Sequence, residues 1–188
     1  MKELSLNVLD IAMNSVKAKA DRIEILLDET ENMLQLTVAD NGCGMKPEFL
    51  KSVVDPFCTT RTTRKVGMGI PLLKLAAEQT GGSVTITSRH ESEYAETHGT
   101  EVVATFDTSH IDCTPMGDIV STVTTLIQGS PDINLLFRHT VNGQTVAELD
   151  MREVRQILGA DVPPNTPEVI QWIAEYLREQ YSNQNNNS

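Results

Sequence analysis

The order of apolar and polar residues along the chain predicts a first helix over residues 4–20. Its polar residues recur at spacings of three and four, so they form one stripe on the helix surface. The other positions are almost all apolar or small, and a helix that is apolar nearly all round is buried. A polar line on a buried helix needs a partner, so the stripe predicts a ligand. It consists of Asn7, Asp10, Asn14, Lys17 and Asp21.

Alternation of β-forming residues and helical periodicity predict the next elements, which give two long helices packed on an antiparallel-rich sheet. Gly81 and Gly82 end the second long helix, as C-terminal glycines commonly do. A polar loop without periodicity precedes that helix. The predicted strands are 22–27, 33–39, 83–89 and 100–107, the helices are 46–54 and 70–79, and the loop is 55–65.

Composition shifts at residues 108–115, which we interpret as a linker or docking segment before a smaller second region. We therefore expect three parts: a first domain over residues 1–112, a small α+β accessory region over 113–181, and a disordered low-complexity tail over 182–188. The apolar stripe of the first helix of the accessory region is expected to be core. The predicted helices are 117–128, 151–158 and 168–180, and the predicted strands are 133–140 and 145–149.

Charge and composition narrow the classes of function. With 188 residues, 39% of them hydrophobic, the chain can bury a sizeable core. A net charge of −11 argues against broad binding to nucleic acid or to an anionic membrane. No apolar run approaches a membrane span and the N-terminal pattern is not secretory, so we expect a cytoplasmic protein. Three cysteines without a CxxC pair indicate reduced thiols rather than disulfides or zinc.

Four local patterns carry candidate chemistry. They are the polar stripe with Asn14, the turn Asp40-x-Gly42-x-Gly44 after a strand, the Thr- and Arg-rich loop DPFCTTRTTRK, and Gly67-x-Gly69 before a helix. Taken singly, each also has a plain structural explanation, such as a buried polar pair, a β-turn or a solvated face. In this order they resemble the asparagine box, first glycine box, phenylalanine box and second glycine box of the ATP-binding fold shared by gyrase, heat-shock chaperone ATPases, histidine kinases and MutL (the GHKL superfamily).

The resemblance covers about residues 1–107. It implies an α/β two-layer sandwich, with a mixed sheet covered by helices on one face, to which the small α+β region is added. It also implies that ATP and Mg²⁺ bind between the first helix, the sheet and a lid.

The resemblance assigns roles in nucleotide binding to individual residues. The amide of Asn14 is a neutral oxygen ligand of the kind Mg²⁺ accepts beside water and phosphate. Asp40 corresponds to the family carboxylate that accepts a hydrogen bond from the adenine amino group. Gly42 and Gly44, followed by Met45, let the backbone turn closely against the base. The hydroxyl of Thr100 corresponds to one that contacts adenine or the aspartate.

The phosphates are expected at the second glycine box, because a helix N-terminus offers free amides and a positive dipole end. The box comprises Gly67, Met68 and Gly69. The preceding loop is expected to be a lid that orders over the nucleotide. Phe57 would anchor the lid, and further positive charge near the phosphates would come from Lys17, Arg61, Arg64 and Lys65.

Asp10 lies one helical turn before Asn14, where the ATPase and serine-kinase branches carry an acid that activates a nucleophile. The string NSVKAKADRIEI resembles the mismatch-repair branch, whereas DPFCTTR and GMGIPLLKLAAEQTGG resemble histidine kinases. Three functions therefore stay open: slow ATP hydrolysis coupled to an unidentified protein partner through the C-terminal region, a Ser/Thr or His kinase acting on a separate protein, and a non-hydrolysing nucleotide sensor. The oligomeric state is not indicated.

Two expectations limit these alternatives. Only thirteen residues precede Asn14, and the four histidines fall in loop, linker or strand contexts, so we expect no phosphoacceptor hairpin in this sequence. Mismatch repair is disfavoured because the second region is short and the negative net charge would repel DNA.

Cys43 and Cys58 lie in nucleotide-site motifs. Small semi-apolar filler is the plainer interpretation of these two residues, and a redox role stays open.

Overall fold

The computed structural model describes residues 3–54 and 68–185. The secondary structure follows the predicted order. The helices are α1 (Leu4–Lys17), α2 (Pro47–Val54), α3 (Gly69–Gln79), α4 (Ile119–Gly129), α5 (Met151–Leu158) and α6 (Pro167–Asn185). The strands are β1 (Arg22–Glu29), β2 (Met33–Asp40), β3 (Ser83–Arg89), β4 (Gly99–Asp107), β5 (Asn134–Val141) and β6 (Gln144–Asp150).

The strands form one six-stranded mixed sheet in the order β3-β4-β2-β1-β5-β6. Neighbours are antiparallel except β1 and β5, which run parallel with Arg22–Glu29 opposite Asn134–Val141. Alternate side chains of the inner strands are buried beneath α1, α3, α4 and α6, and the opposite side chains face solvent. The predicted two-layer sandwich, with helices on one face, is thereby confirmed.

The accessory region shares this sheet and core. The apolar stripe of α4 is buried against α1, so it is core as expected, but it packs with the first region as well as with α6. Strand β5 pairs along the whole of β1. The domain boundary near residue 112 stays a prediction. It marks a change in composition along the sequence, while residues on both sides of it pack in one hydrophobic core.

Two helix boundaries differ from the prediction by three residues or more. Helix α1 ends at Lys17 instead of Ala20, because Lys19 has a φ of +60° and an α-helix cannot continue through that conformation. Helix α6 continues to Asn185 instead of ending at Gln180. Element ends are set by local backbone geometry that periodicity does not reveal.

The segment predicted to be a linker or docking piece holds the N-terminus of α1. The amides of Leu4 and Ser5 each donate to a carbonyl at 2.8 Å, on Pro115 and Met116. The Thr122 hydroxyl of α4 donates to the Ser5 carbonyl at 3.0 Å. The two amide bonds replace a side-chain cap, which α1 lacks. The accessory region therefore fixes the position of the helix that carries the polar stripe.

Candidate functional site

A cavity of about 620 Å³ opens between α1, α2, the ends of β2 and β4, and the start of α3. Most of its wall is apolar, with a few polar groups directed into it, which is the usual composition of a small-molecule site. Its described lining consists of Ile11, Asn14, Ser15, Lys17, Ala18, Val38, Asp40, Cys43, Gly44, Met45, Lys46, Phe49, Val53, Ile70, His90, Thr100 and Val102.

Asp40 is the fixed carboxylate of the cavity. Its Oδ2 accepts a hydrogen bond from the Ser15 hydroxyl at 2.5 Å, and its Oδ1 accepts one from the Gly42 amide at 2.9 Å. Ser15 is only 3% exposed, and Asp40 keeps partial access to the cavity. Two donors on separate elements hold the carboxylate in one orientation, so it is pre-organised to accept a further hydrogen bond from a ligand.

Thr100 lies directly opposite Asp40 in the β2–β4 pairing. Its hydroxyl is 2.8 Å from that of Ser88 on β3, and Ser88 also accepts from the Met45 amide at 2.7 Å. The Ser88 hydroxyl further lies 3.1 Å from the Gly99 carbonyl. A network of hydroxyl groups thus ties the end of the sheet to the turn that follows β2.

The turn after β2 approaches its neighbours so closely that side chains are excluded. Gly44 has a φ of +69°, and a Cβ there would lie 1.9 Å from the Arg89 carbonyl oxygen. At Gly42 a Cβ would lie 2.8 Å from the Ala18 Cβ. The Gly42 carbonyl also lies 2.5 Å from His98 Nδ1. The first glycine box is therefore required by packing between α1, β3 and the loop before β4.

The polar stripe of α1 separates into different environments. Asn14 and Lys17 line the cavity. Asp10 is exposed and is not among the described lining residues; it lies against Gly69, where a Cβ would be 2.9 Å from the Asp10 Cβ. Asn7 is only 1% exposed, and neither atom of its amide has a partner among the described residues. Asp21 is exposed and accepts from the Asn41 amide outside the cavity.

The second glycine box is described in part. Met68 is 67% exposed immediately before α3, and Gly69 is buried against α1. Ile70, the next residue, lines the cavity. The remaining predicted residues of the box and the lid, Phe57, Arg61, Arg64, Lys65 and Gly67, lie outside the described residues, as does Cys58.

Several lining residues were not predicted from the sequence. Ser15 is a single hydroxyl whose partner is distant in sequence, so no spacing rule identifies it. The same holds for Ser88, which does not line the cavity but bonds the lining residues Thr100 and Met45. Lys46 and His90 belong to segments predicted as helix start and loop, although their polar side chains could have suggested a role. Cys43 was placed in a nucleotide-site motif as small filler, and it does line the cavity, with Sγ 3.5 Å from the Gly44 carbonyl.

Residues 1–110 match the family model described as histidine kinase-, DNA gyrase B- and HSP90-like ATPase. The chain belongs to this family. The predicted membership of the GHKL superfamily is thereby confirmed, and the cavity lies within the matched ATPase domain.

Two curated relatives are sensor proteins. Sensor protein SrrB of Staphylococcus aureus is 33% identical over 93 residues, which is 47% of this chain and 16% of the relative. The probable C4-dicarboxylate sensor kinase of Bacillus subtilis is 28% identical over 85 residues, 44% of this chain and 16% of the relative. The chain therefore matches only about a sixth of the length of these relatives.

Among solved structures, the Aquifex aeolicus MutL ATPase domain complexed with ADP superposes with a TM-score of 0.52 at 16% identity, covering 84% of this chain and 69% of that one. This likeness supports the fold of the GHKL ATPase domain together with much of the accessory region. Within residues 3–54 and 68–185, the helices lack the length and apolar run needed to cross a membrane.

Proposed function

We propose that this protein binds Mg-ATP in the cavity and hydrolyses it slowly, as a signal-transduction ATPase that acts on a partner protein through its C-terminal region. The observation that carries the proposal is the Asp40 carboxylate, held by Ser15 and Gly42 in the same cavity that Asn14 lines. A fixed acceptor among apolar walls suits a flat base with an exocyclic amino group. Membership of the GHKL ATPase family supports adenine as that base.

The described residues fit a nucleotide and its metal ion. The volume of about 620 Å³ is in the range of small-molecule sites. Among those residues there is no cluster of three or more His, Cys, Asp or Glu able to hold a metal by itself. Asn14 would therefore be one protein ligand of Mg²⁺, whose other ligands are waters and phosphate oxygens. Lys17 and Lys46 supply positive charge at the cavity rim.

We assign the remaining roles as follows. Thr100 positions the base beside Asp40, and Gly42, Gly44 and Met45 form the wall against it. Met68 and Gly69 present the N-terminus of α3 to the phosphates. Asp10 positions or deprotonates the nucleophile at the exposed end of the α1 stripe. Phe57, Arg61, Arg64, Lys65 and Gly67 stay proposals from the family pattern alone.

The cytoplasm is the compartment we propose, because ATP is supplied there and the described cysteines Cys43 and Cys113 are free thiols. Nucleic acid and membrane are not proposed partners, given the net charge of −11.

A second candidate is a protein kinase that transfers the γ-phosphoryl group to a Ser, Thr or His of a separate protein. The sensor kinases among the curated relatives favour it. In both cases Asp10 would act on the nucleophile, which is water in the first and a side chain in the second.

Incubation with γ-labelled ATP and Mg²⁺ tests the proposal. Release of labelled phosphate supports the ATPase, and label found only on an added protein favours the kinase. Binding with neither outcome would identify a nucleotide sensor. Asp10→Asn should keep ATP affinity and lose turnover by roughly 100-fold, in the range of acid–base contributions. Asp161→Asn, an exposed acid outside the site, is the matched control. Equal loss of affinity and turnover in Asp10→Asn would make Asp10 structural.

A further inference from the structure

The outer strand β6 and the neighbouring helix α6 carry features that the nucleotide site does not use. β6 pairs only with β5, so the backbone groups of alternate residues point away from the sheet. Such an edge is a template for a further strand unless the protein covers it.

A side chain already occupies one position of this edge. The Gln180 amide of α6 accepts from the Glu148 backbone N–H at 2.9 Å and donates to the Glu148 carbonyl at 3.0 Å. A primary amide that pairs with both groups of one residue imitates the backbone of an added strand. The edge is thus compatible with strand pairing at Glu148, and Gln180 holds that position in the free chain.

An exposed aromatic pair lies on the same line of α6. Trp172, Tyr176 and Gln180 are spaced by four residues and therefore share one stripe of the helix. The two rings stack with centroids 5.5 Å apart and an angle of 16° between their planes. They remain 42% and 41% exposed, in a chain with only 4% aromatic residues. Aromatic side chains are enriched at protein interfaces, so an exposed stack on the helix stripe that reaches the strand edge through Gln180 marks a docking surface.

Charge selects the class of partner. Helix α6 has Glu168, Glu175 and Glu179 against the single cation Arg178, and the chain as a whole carries −11. The two acids of β6 are already paired, Glu148 with Arg138 of β5 and Asp150 with Arg152 of α5, so the acidic charge of this surface comes from α6. A second copy pairing through β6 about a two-fold axis would bring two acidic α6 helices towards each other, which is unfavourable. A basic segment would meet complementary charge and could place a cation over the aromatic rings.

We propose that the edge of β6 together with Trp172, Tyr176 and Gln180, the β6–α6 surface, binds an extended basic segment of a partner protein by strand addition. The segment pairs with the outward backbone groups of β6, displaces the Gln180 amide from Glu148, and packs on the aromatic stack. This surface would serve as the partner site of the proposed ATPase, but its binding does not require nucleotide. Failure of one proposal therefore leaves the other intact.

Trp172 is the only tryptophan of the chain, so intrinsic fluorescence reports the surface directly. The probe is a short end-blocked peptide that alternates lysine with valine and threonine, titrated without nucleotide. A saturable change in Trp172 emission is expected. Binding should be lost when central residues of the peptide are replaced by proline and weakened when lysine is replaced by glutamate. Equal binding of either altered peptide, or no saturable change with the first, would overturn the proposal.

Two glutamines on α6 give a matched pair of variants, read by the anisotropy of a labelled peptide. Gln180→Ala frees Glu148 and should tighten binding roughly three- to tenfold, because two competing hydrogen bonds are removed. Gln171→Ala changes the same side chain at a position that bonds Glu175 instead, and should leave affinity unchanged. Trp172→Ala should weaken binding about tenfold. Unchanged or weaker binding by Gln180→Ala would contradict strand addition. Concentration-dependent dimers in sedimentation that exclude the peptide would instead identify a second copy of the chain as the occupant of the surface.

Discussion

Replacing Ser15 with alanine removes the hydroxyl that donates to Asp40 and changes little else, because Ser15 is buried in α1 and its Cβ is retained. The lost bond, at 2.5 Å to Oδ2, is a short hydrogen bond to a carboxylate. The second donor, the Gly42 amide at 2.9 Å from Oδ1, stays in place. Ser15→Ala therefore removes one of the two hydrogen bonds that orient the carboxylate but keeps the carboxylate itself. Its effect can then be compared with that of replacing Asp40.

The expected magnitude follows from these contacts. A hydrogen bond to a charged group contributes about 1.5–3 kcal/mol to the free energy of unfolding. Asp40 is half-buried, so water from the cavity replaces part of the lost bond, and the lower end applies. A loss of about 1.5 kcal/mol corresponds to a decrease in Tm of roughly 3–6 °C for a chain of this size. ATP affinity should fall by only about three- to fivefold, because Gly42 still orients Oδ1.

Thermal unfolding followed by circular dichroism and ATP binding by titration calorimetry check both numbers. Asp40→Asn is the comparison, and its ATP affinity should fall roughly 10- to 100-fold because the charged acceptor is gone. Ser182→Ala, an exposed serine on α6, is the control and should leave both quantities unchanged. An unchanged Tm in Ser15→Ala would refute the structural role of the hydroxyl. An affinity loss as large as that of Asp40→Asn would mean that Ser15 contacts the nucleotide itself.

Three further changes test other parts of the structure. Gly44→Ala should prevent stable folding or shift the first glycine box, since its Cβ would overlap the Arg89 carbonyl; circular dichroism shows which. Asn7→Leu should raise the free energy of unfolding by about 1–3 kcal/mol in urea, because it removes a buried amide without a partner among the described residues. The pKa of Glu29 is held below its ordinary 4.5, chiefly by the polar contact with His139, whose Nε2 lies 3.2 Å from Glu29 Oε1. That contact stabilises the fold above pH 4.5 and is lost as pH falls further, so the Tm difference between wild type and Glu29→Gln should shrink in acid.

Much of the fold was predictable because each element carries its own periodicity. The strands that end at Asp40 and begin before Thr100 were placed within one residue of their observed ends. The parallel pairing of β1 with β5 was not predicted. It joins residues more than a hundred positions apart, and alternation within a strand does not say which strand lies beside it.

The residues of the candidate site likewise include some that the sequence predicted and some that it did not. Asn14, Asp40 and Gly44 were found because amide, carboxylate and glycine recur in a known order. Ser15 was missed because it faces away from the polar stripe, on the buried side of α1. Its role depends on a carboxylate that only the tertiary fold brings within 2.5 Å, so a search along one helix does not detect it.

The parallel pairing of β1 with β5 also affects the risk of aggregation while the chain is being synthesised. Residues 1–112 leave the ribosome before β5, and during that interval β1 is an outer strand with one edge unpaired along its length. Its buried side chains Ile23, Ile25 and Leu27 make this edge prone to join another chain. A fragment cut near residue 112 would keep that exposed edge permanently and would tend to aggregate. The accessory region thus protects β1 from pairing with other chains, because its strand β5 covers the open edge.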